Sequence, residues 1–596
     1  MVKSNTFFNR IIEKKLSIKL FYLFVFFSIF LTSTAFGSSE QAKDSNTDVI
    51  SISGMVIDSH NEPLPEVELE VFINGKKEEF STAHGGHGAG GLKTASDGSY
   101  QFQLNLSEKD LKESKIEIIF SKTSFLHKSS SVEVDKIASK DGKHFVHCDA
   151  KLHRKQGPAF IISTFVFLFA YVLISLELLH RTLAAMLGAS IMLVISYTIG
   201  TLNPEYHILS YESAIHAIDM NVVFLLMGMM IIVGILKHTG VFQWCAYKSY
   251  QLAKGNVFLL SLILMTFTAV SSAFLDNVTT MLLLTPVTIE IALSLGISPL
   301  SLLIPEILAS NIGGTATLIG DPPNIMIGSY AGLTFMAFVQ NLVVVVIVCT
   351  IVLFFYTKIL YGKQYAEAKI DDVDAFIAKL REDYKITDST LLTFGLIIMS
   401  IVILLFLSHG FWHMEVSIAA LFGASVLFTF GMITKRIDLL ELIEKEIEWP
   451  TLLFFIFLFI LVGAVEEAGL LDIVADWVLD LSAGNLVAAI CLILWVSAIM
   501  SAFVDNIPFT ATMLPIVAYL TKVIPGAENG VLWWALALGA CFGGNGTMIG
   551  ASANVVTVGI AESAGHHITF MHFLKVAFPY MIISVALANV WLLIYY

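Results

Sequence analysis

The chain of 596 residues is 56% hydrophobic and only 14% charged, carries a net charge of −14 and has a mean hydropathy of +0.77. That composition excludes an ordinary soluble domain and describes a polytopic membrane protein. The acidic balance, with no basic stripe, excludes a nucleic-acid partner. Of the five cysteines only Cys148 lies in the polar N-terminal part, so no disulfide closes there.

Residues 1–37 join a basic stretch, the apolar run "LFYLFVFFSIFL" and the small residues of "STAFGSS", the three-part pattern of a signal peptide or, uncleaved, of a signal anchor. Either places the next segment on the non-cytoplasmic side. Over 49–152 the runs "ISISGMVID", "VELEVFI", "SYQFQL" and "KIEIIF" are rich in β-branched and aromatic residues and are separated by turn formers, which predicts a small extracytoplasmic β-sandwich. The pattern "GMVIDSHNEPLPEVELEVF…TASDGSYQF" resembles the carboxypeptidase regulatory-like sandwich, which implies no catalytic group. His84 and His87 in "AHGGHGAGG" fall short of a zinc ligand set and read as a loop.

From residue 158 onward, apolar runs of about 20 residues follow one another, the span of a bilayer core. Sliding this region along itself places Asp276-Asn277 on Asp505-Asn506, Pro286 on Pro515 and Gly234 on Gly463; one residue further, "NIGGTATLIGDPPN" falls on "CFGGNGTMIGASAN". The region is a duplication, 158–361 and 387–596, joined by a charged cytoplasmic linker over 362–386. Each half holds three spans, a pair of arms (256–295 in the first), an interrupted span and a final span. With the arms folded as a re-entrant hairpin each half crosses five times, and the odd count turns the second half upside down, the inverted-repeat plan of secondary transporters. That parse puts His180-Arg181, Lys237, Lys248, Lys254, the linker and Lys435-Arg436 in the cytoplasm, as the positive-inside rule requires.

Backbone at membrane depth stays non-helical only where protein or a wet cavity satisfies it. "LDNVTT" and "VDNIPFT" read as hairpin tips. The two Gly-Gly segments read as unwound turns, the first restarting at Pro322-Pro323. Their carbonyls, with Asn and Thr oxygens, suit a small hard ion. The stretch 255–357 has no Lys, Arg or His yet holds Asp276, Glu290, Glu306 and Asp321. A carboxylate at the bilayer centre costs about 2.5–3.5 kcal/mol, so two converging ones call for a cation or a proton. Glu290 and Glu306 read as solvated near an interface, and Asp321, whose repeat partner is Ala551, as a cap on the helix from Pro322. No nucleophile, base and oxyanion set is recognisable, so no enzyme is expected.

"SAFLDNVTTMLLLTPVTI", "NIGGTATLIGDPPN", "EIEWPTLLFF", "SAFVDNIPFTATMLP" and "GACFGGNGTMIGASANVV" closely resemble the melanosomal P protein family, within the ion transporter superfamily that also holds arsenite permeases, sodium/proton antiporters and citrate or dicarboxylate carriers. The resemblance implies an elevator-type carrier, with a scaffold and a mobile part holding hairpins and broken helices. In the dicarboxylate branch the tips read Ser-Asn-Thr; Asp at both tips here argues against a carboxylate substrate. The reading is a sodium/proton exchanger in which Asp276 and Asp505 titrate as a pair. Asn277 and Asn506 serve as sodium ligands, Asp321 is a further site residue, and Thr280, Thr315, Asn324, Thr510, Asn545, Thr547 and Asn554 complete the site. Sodium is expected as the transported or coupling ion, with no cofactor. The expected partners are the lipid bilayer and a small inorganic ion, with a homodimer as a candidate assembly. The alternatives are a chloride or other small-anion path, an arsenite-type or carboxylate permease and a non-transporting receptor.

Overall fold

The computed structural model describes residues 48–596 except 59–62, 66, 75, 78–91, 96, 107–114, 123–124, 127, 132–137, 141–142, 153–155, 177, 369–381 and 383. The signal segment, the His84–His87 loop and most of the linker lie outside the described residues. Contacts separate a strand-rich unit that ends at Ala150 from a helical unit over Lys151–Tyr596.

In the first unit, β1 (Asp48–Ile57) is antiparallel to β3 (Ser99–Leu106) and parallel to β5 (Lys143–His147). A second sheet pairs β2 (Glu68–Ile73) with β4 (Ile116–Ser121). The alternation seen in the sequence decides which residues face inward. Ile50, Ile52, Tyr100, Phe102 and Leu104 of one sheet and Leu69, Val71, Ile118 and Phe120 of the other are buried. The Tyr100 and Phe120 rings meet edge to face at 5.6 Å, joining the two layers. Strand β5 escaped the sequence reading because "KHFVH" lacks an apolar run; its place beside β1 comes from register, not from composition.

In the second unit, the first half runs α1 (Pro158–Ser175), α2 (Arg181–Tyr197), α3 (Met220–Lys237), α4 (Val241–Ala253), α5 (Val257–Phe274), α6 (Asn277–Ser294), α7 (Leu300–Gly314), α8 (Pro322–Ala331) and α9 (Phe335–Ala366). The second half repeats the succession as α10 (Ser389–Trp412), α11 (Val416–Ile433), α12 (Trp449–Ala468), α13 (Leu470–Ser482), α14 (Leu486–Phe503), α15 (Asn506–Val523), α16 (Val531–Gly543), α17 (Ser552–Ser563) and α18 (Phe570–Tyr595). Among the described residues eleven helices are long and apolar enough to cross a membrane.

The same local chemistry sets the ends of paired helices. Asn256 and Asn485 cap α5 and α14 through their side-chain oxygens, relieving backbone N–H groups that have no partner within the helix. Gly240 and Gly469 take φ of 75° and 92° at the turns into α4 and α13, a left-handed conformation that favours glycine.

The helices pack as two sets. One joins α1, α2 and α3 to α10, α11 and α12; the other joins α5–α8 to α14–α17, with α9 and α18 against it. Within the second set α6 packs on α17 and α15 on α8, so each hairpin arm rests on the other half's broken span.

Candidate functional site

The two tips fold alike. Leu275 and Val504 are extended, and Asp276 and Asp505 cap the helices that follow. Asp276 Oδ2 accepts from the Thr279 amide at 3.0 Å and its hydroxyl at 3.1 Å. Asp505 Oδ1 accepts from the Ile507 amide at 3.1 Å. A short polar side chain before a helical run has this use wherever the turn is tight.

The unwound turns sit hard against the first hairpin arms. A Cβ on Gly313 would lie 2.1 Å from the Ala269 carbonyl oxygen, and one on Gly543 would lie 2.4 Å from that of Ala498, which is why glycine occupies both places. The Thr317 hydroxyl donates to the Ala273 carbonyl and the Thr547 hydroxyl to that of Ala502. The Asn324 amide donates to the carbonyls of Thr315 and Thr317 at 3.1 and 2.9 Å, and the Asn554 amide to those of Gly544 and Thr547 at 2.7 and 2.8 Å. These four carbonyls, among those expected from sequence to cradle an ion, each accept from one of the chain's own asparagines.

Between the halves, Asn311 Nδ2 donates to Asn545 Oδ1 at 3.0 Å and Asn554 Oδ1 at 2.9 Å, and Asn277 donates to Asn311 Oδ1 at 3.4 Å. Cys541 stands where the repeat places Asn311 and donates to Asn324 Oδ1 at 3.6 Å. The Thr315 and Thr510 hydroxyls close on the carbonyls of Asn311 and Asn506 in their own helices. Buried Thr280 Oγ1 and Asn545 Nδ2 have no hydrogen-bond partner among the described residues.

A cavity of about 20 Å³ is lined by Asp276, Asn277, Asp321, Glu448, Asn506, Arg181, Thr451 and Ser552, room for a water molecule or a bare monovalent ion. It brings together both tips and the first residues of α6, α8, α15 and α17. Of the residues singled out from sequence, Asp276, Asn277, Asp321 and Asn506 line it. Asp505 adjoins it through Ser552, whose hydroxyl lies 3.1 Å from Asp505 Oδ2. Asp321 is fully buried and its side chain makes no cap, contrary to the expectation. It is drawn instead to Asn506, whose Nδ2 donates to its Oδ1 at 3.4 Å, while Oδ2 has no partner among the described residues.

The sequence reading missed Arg181 and Glu448. Arg181, read as a cytoplasmic loop residue, donates from Nη1 to Asp505 Oδ2 at 3.0 Å and to Ser552 Oγ, and from Nη2 to Thr451 Oγ1 at 3.3 Å. Its guanidinium also lies 5.3 Å from the centroid of the Phe454 ring. Glu448 Oε2 accepts from the Thr451 hydroxyl at 3.1 Å. The available signal was position: each stands at the start of an apolar span, α2 and α12. Glu306 also departs from its solvated reading. It is 1% exposed within α7, with both carboxylate oxygens on the Thr288 hydroxyl at 3.1 and 3.0 Å.

Four carboxylates and one guanidinium meet here with the N-termini of α2, α6, α8, α12, α15 and α17, and each N-terminus adds up to about half a positive charge, so the dipoles offset much of the acidic excess of the side chains.

Residues 171–539 match the citrate transporter family. An uncharacterised transporter of Mycobacterium tuberculosis is 42% identical over 438 residues, covering 73% of this chain and 98% of that protein. Human P protein is 36% identical over 508 residues, and the match spans 73% of this chain and 59% of P protein. The crystal structure of the Alcanivorax borkumensis YdaH transporter aligns over 70% of this chain and 98% of that one, at 14% identity and a TM-score of 0.49. The chain therefore belongs to the citrate transporter family, with the mycobacterial transporters and P protein among its relatives.

Proposed function

We propose that this membrane transporter exchanges sodium for protons by an elevator movement. The set α5–α8 with α14–α17 moves against the scaffold of α1–α3 with α10–α12, the two halves are inverted, and the strand-rich unit lies on the non-cytoplasmic side. The observation that carries the reading is the small cavity where both Asp-Asn tips meet Asp321 and Glu448. Carboxylates at membrane depth are costly unless paired, protonated or ion-bound, and this group exceeds its one guanidinium. A citrate-like anion would add carboxylates to a site where acidic side chains already outnumber the one guanidinium.

A second reading, an anion path, draws on Arg181, Ser552 and the helix N-termini at the same cavity, groups of the kind that hold anions in other carriers. Ion replacement in proteoliposomes separates the two. Sodium-driven proton movement that persists without chloride and fails in Asp276→Asn supports exchange; flux that follows chloride and survives neutralisation of both tips supports the anion path.

A further inference from the structure

Arg181 belongs to one helix set and its acidic partner to the other. The first residue of α2, it is held on the scaffold side by Thr451 at 3.3 Å and by the Phe454 ring face at 5.3 Å. From there it reaches across to Asp505 at 3.0 Å and to Ser552, at the starts of α15 and α17. The pair is well shielded, with side-chain exposures of 23% and 14%. Few other polar links cross this plane. The Tyr171 hydroxyl meets the Pro508 carbonyl and the Thr512 hydroxyl, and Asn221 Nδ2 donates to Ser329 Oγ at 3.0 Å. Those are neutral and replaceable by water; the ion pair is harder to part, because parting it strands two largely shielded charges.

The repeat supplies no counterpart. The helix matching α2 is α11, which begins at Val416, so among the described residues no repeat-related cation pairs with the Asp276 tip as Arg181 pairs with Asp505. The groups that face Arg181 are Asp505 and Ser552 from the second tip and its broken span, Thr451 and Phe454 from α12, and, across the cavity, Asp276, Asp321 and Glu448. A cation entering that cavity repels the guanidinium and competes with it for the same carboxylates.

We infer that Arg181 is a tethered counter-ion. It holds the unloaded mobile set by pairing with Asp505 and gives that carboxylate up only when a monovalent cation or proton takes its place. It is a positioning residue, and its pairing makes the empty carrier reluctant to move, which enforces exchange over leak. The inference rests on the cation reading above.

The test uses the full chain in proteoliposomes and radiolabelled sodium at alkaline pH, where protons are too scarce to carry the return step, comparing exchange against internal sodium with net movement without it. In the unaltered protein exchange outpaces net movement. In Arg181→Gln the half-saturating sodium concentration falls about tenfold, the factor that about 1.4 kcal/mol of lost competition gives, and net movement becomes as fast as exchange. Arg181→Lys, a point charge without the planar fork, lies between. The Arg181→Gln/Asp505→Asn pair strands neither charge, keeps the test readable if a single change fails to fold, and also loses the preference for exchange. Reduced flux with unchanged half-saturation and an unchanged ratio in these variants makes Arg181 merely structural and overturns the inference. An unaltered protein that moves no sodium overturns the cation reading itself.

Discussion

The two hairpin tips share an Asp-Asn pair and a backbone turn, yet they do not share their electrostatics. Asp276 spends its carboxylate on its own turn through Thr279 and faces the cavity. Asp505, at the matching position, is paired with Arg181 and Ser552. A duplicated fold thus supplies two equivalent acidic positions, and a single cation at the head of α2 makes them different. One faces the cavity; the other is answered from within.

That contrast predicts different outcomes for one substitution made twice. Asp276→Asn keeps the helix cap but removes a cavity carboxylate, so sodium flux falls by about 100-fold, the factor that ~3 kcal/mol at the binding step gives, with little change in melting temperature. Asp505→Asn strands the Arg181 guanidinium and lowers stability by about 3 kcal/mol. Flux assays and thermal unfolding in detergent read the two effects, and equal phenotypes would erase the distinction.

The polar bridge between halves sharpens the comparison next. Asn311→Ala leaves the Oδ1 atoms of Asn545 and Asn554 without their donor and costs about 1–3 kcal/mol. Asn311→Cys, which installs the residue found at the matching place in the other half, costs less. Gly313→Ala and Gly543→Ala force a Cβ against the carbonyls of Ala269 and Ala498 and each lowers stability by about 1–3 kcal/mol; similar losses at both sites are the signature of an intact repeat.

Much of this was legible in the sequence. The repeated Asp-Asn, Gly-Gly and proline positions gave the hairpins and broken spans, because tight turns in an apolar chain admit few residue types. The meeting of the tips followed from the repeat. What stayed hidden was the side-chain pairing between distant helices. Nothing in "HRTLAAM" says that Arg181 folds inward, since a basic residue at a span boundary ordinarily faces the cytoplasm. The roles of Asn324 and Asn554 were likewise invisible. Their amides serve the unwound backbone, and only a three-dimensional accounting of carbonyls shows it.

Away from the site, effects shrink. Tyr100→Phe removes the hydroxyl that donates to the Cys148 carbonyl at 2.5 Å and costs the strand-rich unit about 1 kcal/mol, with transport unchanged. Asp388, which caps α10, has its carboxyl held below the usual range by the Leu391 amide first, and also by Arg436 and the Thr390 amide. A lowered folded pKa contributes stability above the unfolded value that is lost as pH falls through the folded one. The pair is partly exposed, so solvent screening limits the contribution to less than about 1 kcal/mol. Melting curves of Asp388→Asn and the unaltered chain therefore differ slightly at neutral pH and converge in acid.

The most direct test of the central claim follows the internal pH of proteoliposomes after sodium is added outside, with chloride replaced by an impermeant anion. The account predicts alkalinisation in the unaltered protein and none in Asp276→Asn. Alkalinisation that vanishes with chloride in the unaltered protein, or that persists when both tip aspartates are neutralised, would contradict it.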